Sequence, residues 1–266
     1  MQIILGFILS ALIGYLSFRA GALNRSGALA AFITGGLIFG LGGLPWAVLL
    51  LTFFISSSVL SRVSGKRKSS LSEKFAKGSQ RDHAQVLANG GLGALLVIVA
   101  SLFPSREWPW IAYAGAMAAV NADTWATELG VLSPAAPRLI TNGKIVERGT
   151  SGGITLFGYL AALAGAGLIG AAAALFTSTV PDLTLIEMCL LAGLLGCSFD
   201  SILGATVQAI YYCPQCEKET ERHPLHGCGI PTERLRGWRW LNNDLVNLAC
   251  SLGGAGVAIL VWILFL

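Results

Sequence analysis

The sequence predicts an all-α polytopic membrane protein, and three features of its composition support this. Hydrophobic residues make up 54% of the 266 residues and charged residues only 12%, whereas soluble domains carry about 25% charged residues. The mean hydropathy is +0.68. The apolar stretches are continuous and do not alternate with polar residues, which argues against a β-barrel. We therefore expect a single integral membrane domain over residues 1–266.

Uninterrupted apolar stretches predict about eight transmembrane helices. They lie at 3–18, 28–42, 46–60, 86–103, 110–132, 154–176, 185–212 and 245–266. The second and third are short and are joined by the glycine-rich link GLGGLP. They form either two full crossings or one re-entrant pair, and both arrangements return the chain to the same side.

Loop charge predicts the orientation of these spans. Short cytoplasmic loops retain Lys and Arg, and of the 18 such residues all but Arg106 fall in the loops after the first, third, fifth and seventh spans. Both termini are therefore predicted to face outward, with the long loops on the cytoplasmic side of an inner membrane. The net charge of +4 belongs to these loops, and no nucleic-acid-binding signature accompanies it, so no nucleic-acid partner is expected.

Acidic groups within apolar spans indicate a functional site, because a charge in hydrocarbon is costly. Such groups and their polar neighbours are Asn121, Asp123, Thr124 and Glu128 in the fifth span, Asp200 in the seventh, and Asn243 with Asp244 at the start of the eighth. Carboxylates and amides are the ligands that Mg²⁺ prefers. The set is therefore equipped for one or two Mg²⁺ ions, although buried Asn can simply join helices and Asp244 can simply cap one.

Helix N-termini on the cytoplasmic side predict an anion-binding site in the same region. Two of them open with turns rich in glycine and hydroxyl groups, NRSG at 24–27 and GTSGG at 149–153. Either turn is also an ordinary helix start, and no Walker sequence is present. The candidate ligands for phosphate or nucleotide are Arg25, Ser26, Arg81, Asn89, Arg138, Arg148, Thr150, Ser151, Gly152 and Asn243.

The seventh loop, 213–241, predicts a structural zinc site. A Cys-x-x-Cys pair, Cys213 and Cys216, is followed by His226 and Cys228, which together supply the four nitrogen and sulfur ligands of a closed site. A reducing compartment disfavours disulfides. The alternatives are a redox pair and plain loop cysteines.

Several strings resemble the family of human transmembrane protein 19 and the plant chloroplast phytyl-phosphate kinase. They are NRSGALAAFITGG, QVLANGG, NADTWATELG, PRLITNGKIVERGTSGGIT, FDSILGATVQ with CPQC, and WLNNDLVNL, and they cover nearly the whole chain. The resemblance implies an enzyme that phosphorylates an isoprenyl monophosphate to the diphosphate, akin to CTP-using polyprenol and phytol kinases. It also implies site roles for Asn121, Asp123, Thr124, Glu128, Asp200, Asn243 and Asp244.

The resulting hypothesis is a CTP-dependent isoprenyl-phosphate kinase whose substrate keeps its tail in the bilayer. Asp123, Asp200 and Asp244 would hold Mg²⁺ on the nucleotide. A phosphate acceptor needs no strong general base, so Glu128 would be a ligand or an orienting group. The alternatives are a lipid-phosphate cytidylyltransferase, which releases pyrophosphate, a transporter or flippase of a phosphate-bearing lipid, and a scaffold that docks partners on its zinc loop.

Overall fold

A bundle of long helices forms most of the molecule. The computed structural model describes residues 1–68, 74–77, 80–176 and 180–265, the side chains of 65–68 excepted. The helices are α1 (Gln2–Arg19), α2 (Arg25–Lys68), α3 (His83–Leu102), α4 (Trp108–Gly130), α5 (Leu156–Ala174), α6 (Asp182–Thr206) and α7 (Asn243–Phe265). Within the described residues, six helices are long and apolar enough to cross a membrane, α4 being the exception. The prediction of a polytopic helical membrane protein is confirmed.

Helix α4 lies at the centre of the bundle and packs against α2, α3, α5, α6 and α7. All of its residues from 111 to 122 are buried. At Gly115, a side chain would collide with Ala258 and with the backbone of Gly254 on α7, so glycine is what permits this close approach. The neighbouring helices thereby surround the helix that carries Asp123 and Glu128.

Helix α2 is interrupted at Gly43, whose φ of 71° and ψ of −158° are not helical. A Cβ atom placed on Gly35 would lie 4.0 Å from Leu50, whereas residues that far apart in a straight helix are separated by about 22 Å. The two arms of α2 therefore fold back on each other. Their reversal falls in the GLGGLP link between the second and third predicted spans.

Two small antiparallel sheets lie in the loops. They consist of β1 (Arg138–Leu139) with β2 (Gly153–Ile154), and of β3 (Ile210–Cys213) between β4 (Lys218–Thr220) and β5 (Glu233–Arg236). The prediction of one helix over 185–212 is wrong at its C-terminal end, since α6 stops at Thr206. The apolar residues Ile210 and Tyr211 are buried in the three-stranded sheet, so their hydrophobicity belongs to this sheet and not to a membrane span.

The remaining predicted spans agree with the helices to within a few residues. The return arm of α2 is the exception, because it continues past residue 60 to Lys68. Residue 266, the predicted end of the last span, lies outside the described residues.

Candidate functional site

A polar cavity of about 290 Å³ opens between the C-terminal halves of α4 and α6 and the N-terminal ends of α3, α5 and α7. Its lining includes the predicted site residues Arg81, Asn89, Asp123, Thr124, Glu128, Arg148, Thr150, Ser151, Gly152, Asp200 and Asn243. The N-terminal ends of these three helices border the same space, and the positive end of a helix dipole favours anions. The folded chain thus brings acidic, cationic and anion-binding groups together.

Two carboxylates from different helices, Asp123 of α4 and Asp200 of α6, line this cavity. The Oδ2 atom of Asp200 is buried and has no hydrogen-bond partner among the described residues. A buried carboxylate oxygen without a partner is costly. An oxygen-seeking cation such as Mg²⁺ would remove that cost, so the residues present fit a divalent ion.

A third carboxylate, Glu128, also lines the cavity and is held by hydroxyl groups of α2. Ser61 donates to Glu128 Oε1 over 2.8 Å, and Ser64 donates to Glu128 Oε2. These serines follow one another at helical spacing and so present their hydroxyls on one face. The hydrogen bonds fix the orientation of Glu128, as an orienting or ligating group requires.

Arg81 is fixed both by its backbone and by its side chain. Its carbonyl accepts from the Asn24 amide at 3.0 Å and its amide donates to the Ala22 carbonyl at 3.0 Å. Its guanidinium donates to the hydroxyls of Ser58 at 2.9 Å and Ser57 at 3.0 Å. Burial lowers the pKa of Arg81, and the charge of Glu128 opposes that shift. The Ser57 and Ser58 hydroxyls are neutral, so these hydrogen bonds hold the guanidinium without compensating its positive charge.

The turn before α5 is built against α6. Gly152 has a φ of 81°, which favours glycine. A Cβ atom at this position would also collide with Ala205. Ser151 donates its hydroxyl to Gln208 Oε1 at 2.8 Å. The turn lines the cavity with Thr150, Ser151 and Gly152, as the sequence predicted.

Five residues predicted for the Mg²⁺ and phosphate site are not among the cavity-lining residues. These are Asn121, Asp244, Arg25, Ser26 and Arg138. Asn121 is fully buried, where it donates to the Gly165 carbonyl at 2.8 Å and accepts from the Ser56 hydroxyl at 3.1 Å. This arrangement joins three helices.

The first predicted phosphate turn, 24–27, has local partners instead. The side chain of Asn24 accepts from the Gly27 amide at 2.8 Å and from the Ser26 hydroxyl at 2.9 Å, which is the geometry of a helix cap. Arg25 is exposed. Arg138 donates to the Gly143 carbonyl at 2.9 Å within its own loop.

Asp244 takes part in an ion pair next to the cavity. Lys77 donates to Asp244 Oδ2 and lies 2.8 Å from Asp82 Oδ2. Partial burial disfavours the charged ammonium, but the hydrogen bonds to both carboxylates raise the pKa of Lys77. Asp82 also caps α3 by accepting from the Gln85 amide. This cluster ties the loop before α3 to the start of α7.

Sequence reasoning missed Glu221 as a site residue. Glu221 lines the cavity, and it accepts from Gln208 Nε2 at 2.9 Å and from the Ala76 amide at 3.3 Å. Burial raises the pKa of Glu221. Its place in a charged loop carried no signal, but the hydroxyl stripe of Ser57, Ser61 and Ser64 could have been recognised from its helical spacing.

A second, apolar cavity of about 240 Å³ lies between α1, the two arms of α2 and α3. Most of its lining is aliphatic or aromatic, with Leu44 near the reversal of α2 and Phe53 and Phe54 close to Arg81. Arg81, Gln85 and Asn89 line both cavities. These residues therefore form the boundary between an acidic, polar space and an apolar one.

The four predicted zinc ligands also converge. Ligand atoms of Cys213, Cys216, His226 and Cys228 all lie within 4.8 Å of one another. This cluster is formed by the three-stranded sheet and its connecting loops, and Glu221 lies at the opposite end of the β3–β4 hairpin from its Cys213–Cys216 tip. It is the only such group of three or more Cys, His or acidic residues within the part of the chain that the structure describes.

The helical bundle and its two adjoining cavities define a polytopic membrane protein with a charged internal site. The chain belongs to the integral membrane protein family DUF92, whose family model matches residues 8–255. The family-level resemblance noted from the sequence strings is thereby confirmed. No solved structure matches the chain.

The relatives cover nearly the whole chain. Protein PGR of Arabidopsis thaliana is 35% identical over 274 aligned residues, which is 94% of this chain and 93% of that protein. The uncharacterized membrane protein MJ0933 of Methanocaldococcus jannaschii is 31% identical over 92% of this chain and 87% of its own length. Protein VTE6, chloroplastic, of Arabidopsis thaliana is 24% identical over 90% of this chain and 65% of its own length.

Proposed function

We propose that the protein is an isoprenyl monophosphate kinase that transfers a phosphoryl group from a nucleoside triphosphate, CTP by family resemblance, to a lipid monophosphate. The observation that carries this proposal is the boundary formed by Arg81, Gln85 and Asn89 between the two cavities. A lipid phosphate has an apolar tail and an anionic head. The tail suits the apolar cavity, and the head would meet the guanidinium of Arg81.

The polar cavity would receive the triphosphate. In the proposed step, an oxygen of the lipid monophosphate attacks the γ-phosphorus, the bond from that phosphorus to its bridging oxygen breaks, and the nucleoside diphosphate leaves. Such transfer depends mainly on positioning and on compensation of negative charge. Arg81 would hold the acceptor. The glycine turn at Ser151 and the helix N-termini would hold the donor phosphates.

Asp123 and Asp200 are the proposed ligands of Mg²⁺, with Thr124 and Asn243 nearby as neutral oxygen donors. Bound Mg²⁺ would neutralise charge on the triphosphate and align its phosphates. Asp244 pairs with Lys77 through Oδ2, and its buried Oδ1 has no hydrogen-bond partner among the described residues. Because Asp244 is not among the cavity-lining residues, it is assigned to the ion pair and not to the Mg²⁺ site. The acceptor is already anionic, so no strong base is needed, and Glu128 is assigned an orienting role because its charge acts on Arg81.

The topology proposed with this function has eight crossings, counting the two arms of α2 separately, and both termini outside. The cavity would face the cytoplasm, because the loops beside it carry most of the Lys and Arg residues. The zinc cluster would lie on the same side. A water-soluble nucleotide and a membrane-embedded lipid could then reach the site from different directions.

Product analysis tests the proposal and separates it from its rivals. Detergent-purified protein is incubated with phytyl or geranylgeranyl phosphate, Mg²⁺ and CTP labelled in the γ-phosphate. We expect the label in lipid diphosphate and CDP as the second product. Release of pyrophosphate with a cytidylyl-lipid would instead identify a cytidylyltransferase. If no product formed and the protein moved lipid phosphate across vesicle membranes, the protein would be a flippase. That result would overturn the kinase proposal.

A further inference from the structure

The Cys/His cluster has the geometry of a closed metal site. Cys213 Sγ and Cys228 Sγ are 3.6 Å apart, and His226 Nδ1 lies 3.3 Å from Cys228 Sγ. Around one zinc ion with bonds of about 2.3 Å, tetrahedral sulfur ligands are separated by about 3.8 Å. His226 is only 3% exposed, and its buried Nε2 atom has no hydrogen-bond partner among the described residues.

The local fold selects these four side chains. Cys213 ends β3, and Cys216 lies in the turn that leads to β4, so the Cys-x-x-Cys pair forms the tip of a hairpin. His226 and Cys228 come from the loop before β5. The nearby His223 is engaged elsewhere, because its ring stacks on Tyr211 with centroids 4.3 Å apart. The sheet therefore presents His226 to the cysteines.

We propose that Cys213, Cys216, His226 and Cys228 bind one structural zinc ion, and that this ion holds Glu221 and Gln208 in position at the polar cavity. The first part of this proposal is independent of the kinase function. The hairpin and its loops contain about 30 residues, and units smaller than about 40 residues usually need a metal or a disulfide to fold. Zinc would supply that stability here.

The link from the cluster to the cavity runs along the hairpin. Gln208 lies two residues before β3 and Glu221 directly follows β4, and the two side chains are joined by a hydrogen bond of 2.9 Å. Gln208 in turn accepts from Ser151 of the glycine turn at 2.8 Å. Fixing the tip of the hairpin keeps both strand ends together, so loss of zinc would release Glu221 from the cavity wall.

Metal analysis of the full-length protein in detergent tests the zinc site. We expect about one zinc per chain in the wild type and in the control Cys189→Ala, whose cysteine is buried in α6. The variants Cys216→Ser and Cys228→Ser should lose at least about tenfold in zinc affinity. Zinc content unchanged in both variants, or wild-type protein that takes up no zinc from excess Zn²⁺, would overturn the site.

Hydrogen exchange on the wild-type protein tests the positioning role without any variant. After removal of zinc by a chelator, amides of residues 208–222 and 150–153 should exchange at least about tenfold faster, because their support is lost. Amides of α5 serve as the internal control and should not change. Faster exchange in residues 208–222 alone would support the zinc site but contradict its role in positioning the cavity residues. Both readouts are independent of whether the protein proves to be a kinase.

Discussion

Asp123 on α4 and Asp200 on α6 line the same cavity, although a long stretch of chain separates them. Two carboxylates that face one space inside the helical bundle are costly unless a cation is present to compensate them. Neighbouring elements supply groups for anions at the same place, namely Arg81 and the turn at Ser151. Acidic groups and anion-binding groups in one cavity are what the proposed phosphoryl transfer with Mg²⁺ requires.

Replacing Arg81 by Lys should impair recognition of the lipid phosphate. Lysine keeps the charge but cannot donate to Ser57, Ser58 and a phosphate from one rigid plane. We expect kcat/KM for the lipid phosphate to fall by about 10- to 100-fold, mainly through KM. The control is Arg19→Lys, at an exposed position in α1, which should behave as wild type. If Arg81→Lys and Arg19→Lys changed kcat/KM equally, the assignment of Arg81 to the lipid phosphate would be wrong.

Enlarging Leu44 should change the preference for tail length. Leu44 lines the apolar cavity near the reversal of α2, about 20 Å along the helix from the serines that bind Arg81. In Leu44→Trp, the ratio of kcat/KM for a 20-carbon over a 10-carbon isoprenyl phosphate should fall by about tenfold, because the added ring shortens the tail site.

Leu29→Trp provides a matched control for that measurement. Leu29 is 61% exposed and Leu44 is 60% exposed, but Leu29 is not among the residues that line the apolar cavity. A tail preference that is unchanged in Leu44→Trp would place the isoprenyl chain outside this cavity.

Removal of the Lys77 charge should destabilise the protein in a pH-dependent way. Asp82 and Asp244 are only 21% and 13% exposed, so Lys77→Met should cost about 1–2 kcal/mol, between the values for surface and buried pairs. Burial disfavours the Asp82 carboxylate, but its hydrogen bonds to Lys77 and Gln85 prevail and lower its pKa. The stabilisation is therefore present above the ordinary carboxyl pKa of about 4 and is lost as pH falls through the lowered value.

Thermal unfolding in detergent between pH 8 and pH 3 measures this effect. The midpoint of Lys77→Met should lie below that of the wild type at neutral pH and approach it at acid pH. Lys74→Met is the control, since its partner Glu147 is 80% exposed and the pair should contribute less than about 0.5 kcal/mol. If the difference between the unfolding midpoints of the wild type and Lys77→Met grew as the pH fell, the predicted pH dependence of this ion pair would be wrong.

Most of the bundle could be predicted because hydrophobic length is a direct requirement of the bilayer. The C-terminal end of α6 could not be predicted in this way. The hydrophobicity of Ile210 and Tyr211 fits a membrane span and the core of a small sheet equally well. The reversal at Gly43 was indicated by its glycine-rich link.

The site was predictable only in part. Asp123 and Asp200 were recognisable, because carboxylates are rare in apolar spans. Asn121 belongs to the same polar stripe as Thr124, yet it joins helices through Gly165, and spacing alone cannot distinguish these roles. Glu221 reaches the cavity only through the fold of the Cys/His loop. Its position depends on tertiary contacts that leave no trace in the local sequence.

The Mg²⁺ dependence of lipid diphosphate formation tests the central claim most directly. The rate is measured against Mg²⁺ concentration for the wild type, Asp123→Asn, Asp200→Asn and the control Asp182→Asn. Asp182 is exposed at the start of α6, about 27 Å along the helix from Asp200. We predict that Asp123→Asn and Asp200→Asn each lower the rate by at least about 100-fold, with a higher Mg²⁺ requirement, whereas Asp182→Asn does not. Wild-type rates and Mg²⁺ dependence in both cavity variants would contradict the account.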